Sequence, residues 1–204
     1  MPTQTRTGLY TFADFVELIQ DDQKADLLDG VIYMASPEST DHNDLLFWLG
    51  TVVRLYIEER NLGRLTINKV AFRLSDKTAP EPDLAFVRRD REGIIKHGYI
   101  DGPPDLAVEI VSPDSVDRDY ESKRLRYEQA GVGEYWILDL DESRATFLIR
   151  GPSGFVETGL NNPIFSSTVL PGFTLDVRIL WQRPLPATLG FVQNLLARSS
   201  DSGE

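Results

Sequence analysis

The stretch "DLAVEIVSPDS", Asp105 to Ser115, limits the fold more tightly than any other part of the chain. Leu106, Ala107, Val108, Ile110 and Val111 make the unbroken apolar run of a strand covered on both faces. Side chains alternate along a strand, so Ala107, Glu109 and Val111 share one face while Leu106, Val108 and Ile110 share the other. Glu109 is therefore a carboxylate inside a packed layer. Leaving it ionised and unpaired there costs on the order of several kcal/mol. A basic residue, a hydrogen-bond network or a metal ion has to answer it.

The surrounding pattern says what kind of sheet this strand belongs to. A helix is expected from about Asp117 to Ala130, stopped by Gly131, and "EYWILDL" is a second nearly unbroken apolar strand, Glu134 to Leu140. Strand, helix, strand is a crossover unit with a parallel pair. Hairpins are expected at Asp29-Gly30, the strongest short turn signal, and in "RATFLIRGPSGFVETG", turning at Gly151 to Gly154. They add antiparallel strands, so the fold class is mixed α/β, a mixed central sheet flanked by helices. Thr11 with Asp14 caps a short helix from about Phe12 to Gln20, and Leu45, Leu49, Val52, Val53 and Tyr56 mark a long helix from about Thr40 to Asn61. "RLTINKVAFRLSD" reads as one or two strands, and the stretch after Ser166 is ambiguous until a closing helix. The 204 residues suit a single domain over 1–196, with 197–204 a flexible tail.

Asp83, in "PEPDLAF", stands at the mouth of another apolar strand, on one face with Ala85 and Val87. Two carboxylates at similar height on neighbouring strands suit Mg²⁺, which takes one or two carboxylates and completes its octahedron with water and phosphate oxygens. Zinc fits poorly: there are two histidines, His42 and His97, and no cysteine. On the helix, Val116, Tyr120, Lys123, Tyr127 and Ala130 fall on one stripe, with Arg118, Glu121, Arg126 and Glu128 turned away. Lys123 is the charged member of that stripe. Turned inward, it can neutralise the carboxylates, hold an attacking water or offset charge growing on a phosphate. His42 lies near the start of the long helix, spaced to point inward.

Each residue has a plainer reading. A strand glutamate can be half of a structural ion pair, a helix lysine can snorkel, and a histidine at a helix end can simply pack. Glu81 and Asp114 read as loop carboxylates, Asp114 as a cap of the following helix. The run Arg88, Arg89, Arg91 and Lys96 reads first as a solvated loop, with a phosphate-tracking surface as the alternative. The formal net charge of -11 disfavours non-specific nucleic-acid binding at long range, although bound cations can reverse a local field. No apolar segment is long enough for a bilayer, and the start, "MPTQTRTGLYTF", lacks the layout of a secretory signal, so a cytoplasmic protein is expected.

Taken in order, "PEPDLAFV", "PDLAVEIVSPDS" and "DRDYESKRLRYEQAGVGEYWILD" resemble the Uma-type family of putative restriction endonucleases, within the PD-(D/E)XK nuclease superfamily. The resemblance runs from the Asp29-Gly30 hairpin to the strand ending near Leu140. It implies a restriction-endonuclease-like fold and a Mg²⁺-dependent site for DNA, with Mn²⁺ as a substitute. Pro82-Asp83 matches the PD of the signature and Glu109 its acidic member. Val111 stands where the lysine would be, and Lys123 on the following helix takes over that position. The family also places a histidine at His42. The implied activity is a metal-dependent DNA endonuclease. Asp83, Glu109 and the Ile110 carbonyl would be metal ligands, with Asp83, Glu109, Lys123 and His42 catalytic; a homodimer would suit cutting both strands. The alternative is a catalytically degenerate module of the same fold that binds nucleic acid or protein. A glycosidase with two acids is disfavoured by the inward lysine.

Overall fold

Local capping explains where the elements begin. The computed structural model describes residues 9–19, 23–158 and 163–200. The expected helix end at Gln20, the chain start before Leu9 and the last four residues, 201–204, lie outside them. Asp14 N–H donates to the Thr11 hydroxyl and the Asp14 carboxylate accepts from Thr11 N–H, a reciprocal cap on helix α1 (Phe12–Leu18). Strands β1 (Ala25–Leu28) and β2 (Val31–Met34) pair as the expected hairpin. Asp29 (φ 52°) and Gly30 (φ 81°) both take the left-handed conformation that the tight turn demands. Ser39 caps α2 (Thr40–Glu59) by accepting from His42 N–H.

Strands β3 (Gly63–Ile67), β4 (Ala71–Phe72), β5 (Leu84–Arg88), β6 (Tyr99–Ile100) and β7 (Leu106–Ile110) follow. The helix after β7 is π-wound over Arg118–Lys123 and becomes α-helix α3 over Arg124–Ala130, where Gly131 at φ 92° stops it. Then come β8 (Glu134–Asp139), β9 (Arg144–Gly151), β10 (Gly154–Glu157), β11 (Ile164–Ser166), β12 (Thr174–Asp176) and helix α4 (Thr188–Ser200). α4 is regular past residue 197, the expected start of the tail. Among the described residues no helix is long and apolar enough to cross a membrane.

Six strands form the central sheet in the order β10-β9-β8-β7-β5-β3. β7 and β8 are parallel, joined by the helical crossover, and the other neighbours are antiparallel. Alternation assigns the two faces as expected for β7. Leu106, Val108 and Ile110 join the core under α2 with Leu45, Leu49, Val52, Val53 and Tyr56. Ala107 faces the other way, against Tyr127 of α3 with Tyr135 and Ile137. That second face receives Glu109.

Not every buried carboxylate in this sheet is chemically available. Glu134, at the start of β8, is fully buried and ties the loop before β12 to the sheet. It accepts from the Trp136 indole (3.1 Å), the Ser167 and Thr168 hydroxyls (2.8 and 2.7 Å) and the Thr168 and Val169 backbone N–H groups. Glu134→Ala strands these donors away from water, and urea unfolding should show a loss of roughly 3–5 kcal/mol.

Candidate active site

β5 and β7 run antiparallel with Leu84 opposite Val108 and Ala85 opposite Ala107. One step further in that register, Asp83 stands opposite Glu109 on the same face. Directly opposed side chains have Cβ atoms about 4.5–5.5 Å apart. Ile110 N–H donates to Asp83 Oδ2 at 2.7 Å, which fixes the Asp83 carboxylate against β7. Both acids are buried, and both line a cavity of about 30 Å³ shared with Lys123 and His42. The four sequence-predicted side chains thus come together.

Lys123 reaches the strand from the helix. Its Nζ lies 3.0 Å from Glu109 Oε1, 2.9 Å from Asp26 Oδ2 and 3.4 Å from Asp119 Oδ1. The Tyr127 hydroxyl donates to the same Glu109 oxygen at 2.9 Å. The π-wound segment explains how one helix aims so many groups at one point. Ser115, Asp119, Lys123 and Tyr127 are all buried, a spacing of four residues repeated. At α-helical pitch four residues overshoot a turn by 40°, so such a row would drift round the helix. A wider π turn removes that drift. The stripe expected from pure α geometry is corrected accordingly: Asp119 replaces Val116, which is exposed.

The structure brings in side chains that the sequence reading had not singled out. Lys24, just before β1, ion-pairs with Asp83 and lies 3.9 Å from Glu38. Asp26, two residues on along the same strand, takes Lys123. Glu38 flanks the cap of α2, four residues before His42. Asp26 carried the same signal as Glu109, a carboxylate in an apolar strand, and Asp119–Lys123 carried an i,i+4 signal. Glu81 lies in the loop before β5, as expected, yet it is buried, accepting from Ala25 N–H while its own N–H donates to Asp26 Oδ1. One expectation is corrected. Arg118 turns inward to within 3.5 Å of Asp26. The basic run after β5 is partly occupied too: Arg88 and Arg91 pair with Asp105 at 3.3 and 2.8 Å.

These contacts push the two facing acids apart. Burial favours the neutral form of Asp83, but the Lys24 ammonium and then His42 outweigh it and hold the carboxyl well below the usual range. Burial dominates at Glu109 and, with repulsion from Asp119, Asp83 and Asp26, raises it to about 8 against the pull of Lys123. Lys123 is disfavoured as a cation by burial, yet Asp26, Glu109 and Asp119 raise it well above its ordinary value. The two facing acids are thus driven in opposite directions, Asp83 toward its anion and Glu109 toward its protonated form.

The donor set suits a hard divalent cation. Carboxylates on adjacent strands face each other, and two buried atoms lining the cavity that can offer a lone pair, His42 Nε2 and Asp119 Oδ1, have no hydrogen-bond partner among the described residues.

Comparison with known proteins gives three findings. The Uma2 family, described as putative restriction endonuclease, matches residues 12–178. A crystal structure described as a putative nuclease belonging to DUF820 from Anabaena variabilis superposes with a TM-score of 0.69 at 18% identity, covering 84% of this chain and 97% of that one. The oviduct-specific glycoprotein of Sus scrofa is 30% identical over 115 residues, 54% of this chain; the match spans only 22% of that protein's length.

Two tests of the charge arrangement follow. Lys123→Met leaves three carboxylates buried around a missing cation, and urea unfolding should show about 3–5 kcal/mol of lost stability. Because Glu109 is raised on folding from 4.5 to about 8, the unfolded chain releases its proton first. Its contribution to stability is therefore present below about pH 4.5 and declines toward pH 8. Glu109→Gln should remove that decline from a stability–pH profile; a profile identical to wild type would contradict the assignment.

Proposed function

This chain belongs to the Uma2 family of putative restriction endonucleases, and from that membership we propose that it is a metal-dependent DNA endonuclease of the PD-(D/E)XK type. The observation that carries the reading is the meeting of Asp83, Glu109 and Lys123. Two adjacent strands and the crossover helix deliver two acids and one ammonium to a single buried cavity.

Asp83 and Glu109, with the Ile110 carbonyl, would hold Mg²⁺, for which Mn²⁺ substitutes. A bound Mg²⁺ polarises the scissile phosphate and acidifies a water. The protein's own groups do the rest. Asp83 is kept anionic by Lys24, ready to bind a cation without first losing a proton. Glu109 is held in one rotamer by Tyr127 and Lys123. Lys123 keeps its charge and would orient the attacking water or offset charge on the phosphate oxygens. His42 sits where it would accept a proton or contact phosphate. A water oxygen would bond to phosphorus as the water gives up a proton to His42 or to solvent, the phosphodiester P–O bond would break, and the departing oxygen would take up a proton. The substrate is DNA, and a symmetric homodimer would let two such sites cut both strands.

One observation favours a second reading. Lys24 and Lys123 already neutralise the acids, so the same centre can hold the fold together without chemistry, leaving a catalytically degenerate module that binds nucleic acid or protein. Cleavage of supercoiled plasmid with Mg²⁺ or Mn²⁺ separates the two. The nuclease reading expects nicking or linearisation that EDTA stops and that Asp83→Asn or Glu109→Gln lowers at least about a hundredfold, with folding checked by circular dichroism. Cleavage that survives EDTA and both substitutions would refute it.

A further inference from the structure

His42 poses a problem that the reading above leaves open. Its Nε2 is buried and has no hydrogen-bond partner among the described residues, although it is aimed at two carboxylates. Glu38 Oε2 lies 3.6 Å away and Asp83 Oδ1 3.7 Å away, both beyond hydrogen-bond reach. A buried nitrogen pointed at oxygens it does not touch is the geometry of ligands standing around a common centre. One ligand atom from each of Glu38, His42 and Asp83 lies within 4.8 Å of the others. Atoms bonded to one ion at about 2.0–2.2 Å stand roughly 3–4 Å from each other, so small side-chain shifts would bring all three into contact with it.

We propose that Glu38, His42 and Asp83 form a second cation subsite, distinct from the facing pair Asp83–Glu109, which takes a divalent first-row transition cation. It deepens the nuclease reading, because Asp83 is the shared ligand. The two oxygens of Asp83 are divided between the two places. Oδ2 accepts from Ile110 N–H on the β7 side, and Oδ1 faces His42 and Lys24. Glu38 and His42 are fixed relative to each other by the cap of α2, since Ser39 between them holds His42 N–H at 3.1 Å. The Glu38 side chain remains 22% exposed and gives an ion a route in from solvent.

The chemistry of the donors sets the preference. An imidazole nitrogen beside two carboxylates binds Mn²⁺ or Fe²⁺ better than Mg²⁺ or Ca²⁺, which favour oxygen alone. The Lys24 ammonium pairs with Asp83 and lies 3.9 Å from Glu38, a positive charge in the place the cation would take. Its side chain is 15% exposed and can turn outward when an ion enters. Lys24 is thus a competitor for this place.

Pulsed electron paramagnetic resonance on the full chain with Mn²⁺ and no DNA tests the ligand directly, with calorimetry for affinity. The sequence has two histidines, and His97 is exposed. The expected result is a nitrogen coupling on bound Mn²⁺ that persists in His97→Ala and disappears in His42→Ala and His42→Gln. Glu38→Gln should weaken Mn²⁺ binding at least about tenfold. Lys24→Met, which removes the competitor, should tighten it by about tenfold. Bound Mn²⁺ without nitrogen coupling in the wild type, or Lys24→Met binding no more tightly, would overturn the proposal whatever the fate of the variants' folding. The nuclease reading is judged separately by plasmid cleavage: it can stand on a Glu109-dependent ion with no nitrogen signal. Nitrogen-coordinated Mn²⁺ without cleavage would leave the subsite and remove the nuclease.

Discussion

Two carboxylates facing each other across an antiparallel strand pair, in a layer sealed on both sides, impose the condition that the rest of the architecture meets. Neither Asp83 nor Glu109 can be ionised there alone. The chain answers with cations from two directions. Lys24 comes from the hairpin on one side and Lys123 from the crossover helix on the other. Lys123, buried as well, is kept charged by three acids, Asp26 and Asp119 beside Glu109. The hairpin, the start of α2 and the π-wound turn each bring a partner to this one centre.

Glu134 shows why Glu109 is different. Both are strand carboxylates with almost no exposure. Glu134 is surrounded by donors from its own strand and the loop beside it, so its oxygens are satisfied within the fold. Glu109 has Tyr127 and Lys123 on a single oxygen and an acid as its cross-strand neighbour. Burial alone does not separate the two acids; the cavity and the facing carboxylate beside Glu109 do. The overall charge of -11 fits the same picture. The basic groups of the centre, Lys24 and Lys123, are paired with internal acids, so a bound cation would add the positive charge that draws a phosphate there.

Much of this could be read from residue order. An apolar run interrupted by Glu109 gave the buried sheet, its alternation gave the face on which the acid lies, and Asp29-Gly30 gave the hairpin. Asp83 and Lys123 were found because strand entry and helical stripe are local properties. The partners that cross from other elements were not legible. Lys24 and Glu38 meet Asp83 only because the hairpin and α2 fold over the end of β5, a long-range packing event with no local pattern. Asp119 was brought into the inward row by the π turn, which changes the angular step between residues and which no composition rule announced. Glu81 does lie in a loop between two prolines, but nothing local announced that its side chain and backbone bond to Ala25 and Asp26.

Central to this account is that positive charge between β5 and β7 is replaceable by a divalent ion. Anomalous diffraction from crystals soaked in Mn²⁺ measures that most directly. The account predicts an anomalous peak in the cavity within bonding distance of Asp83 and at least one further side chain lining it. Ordered crystals equilibrated with Mn²⁺ at millimolar concentration that show no peak beside Asp83 would contradict it.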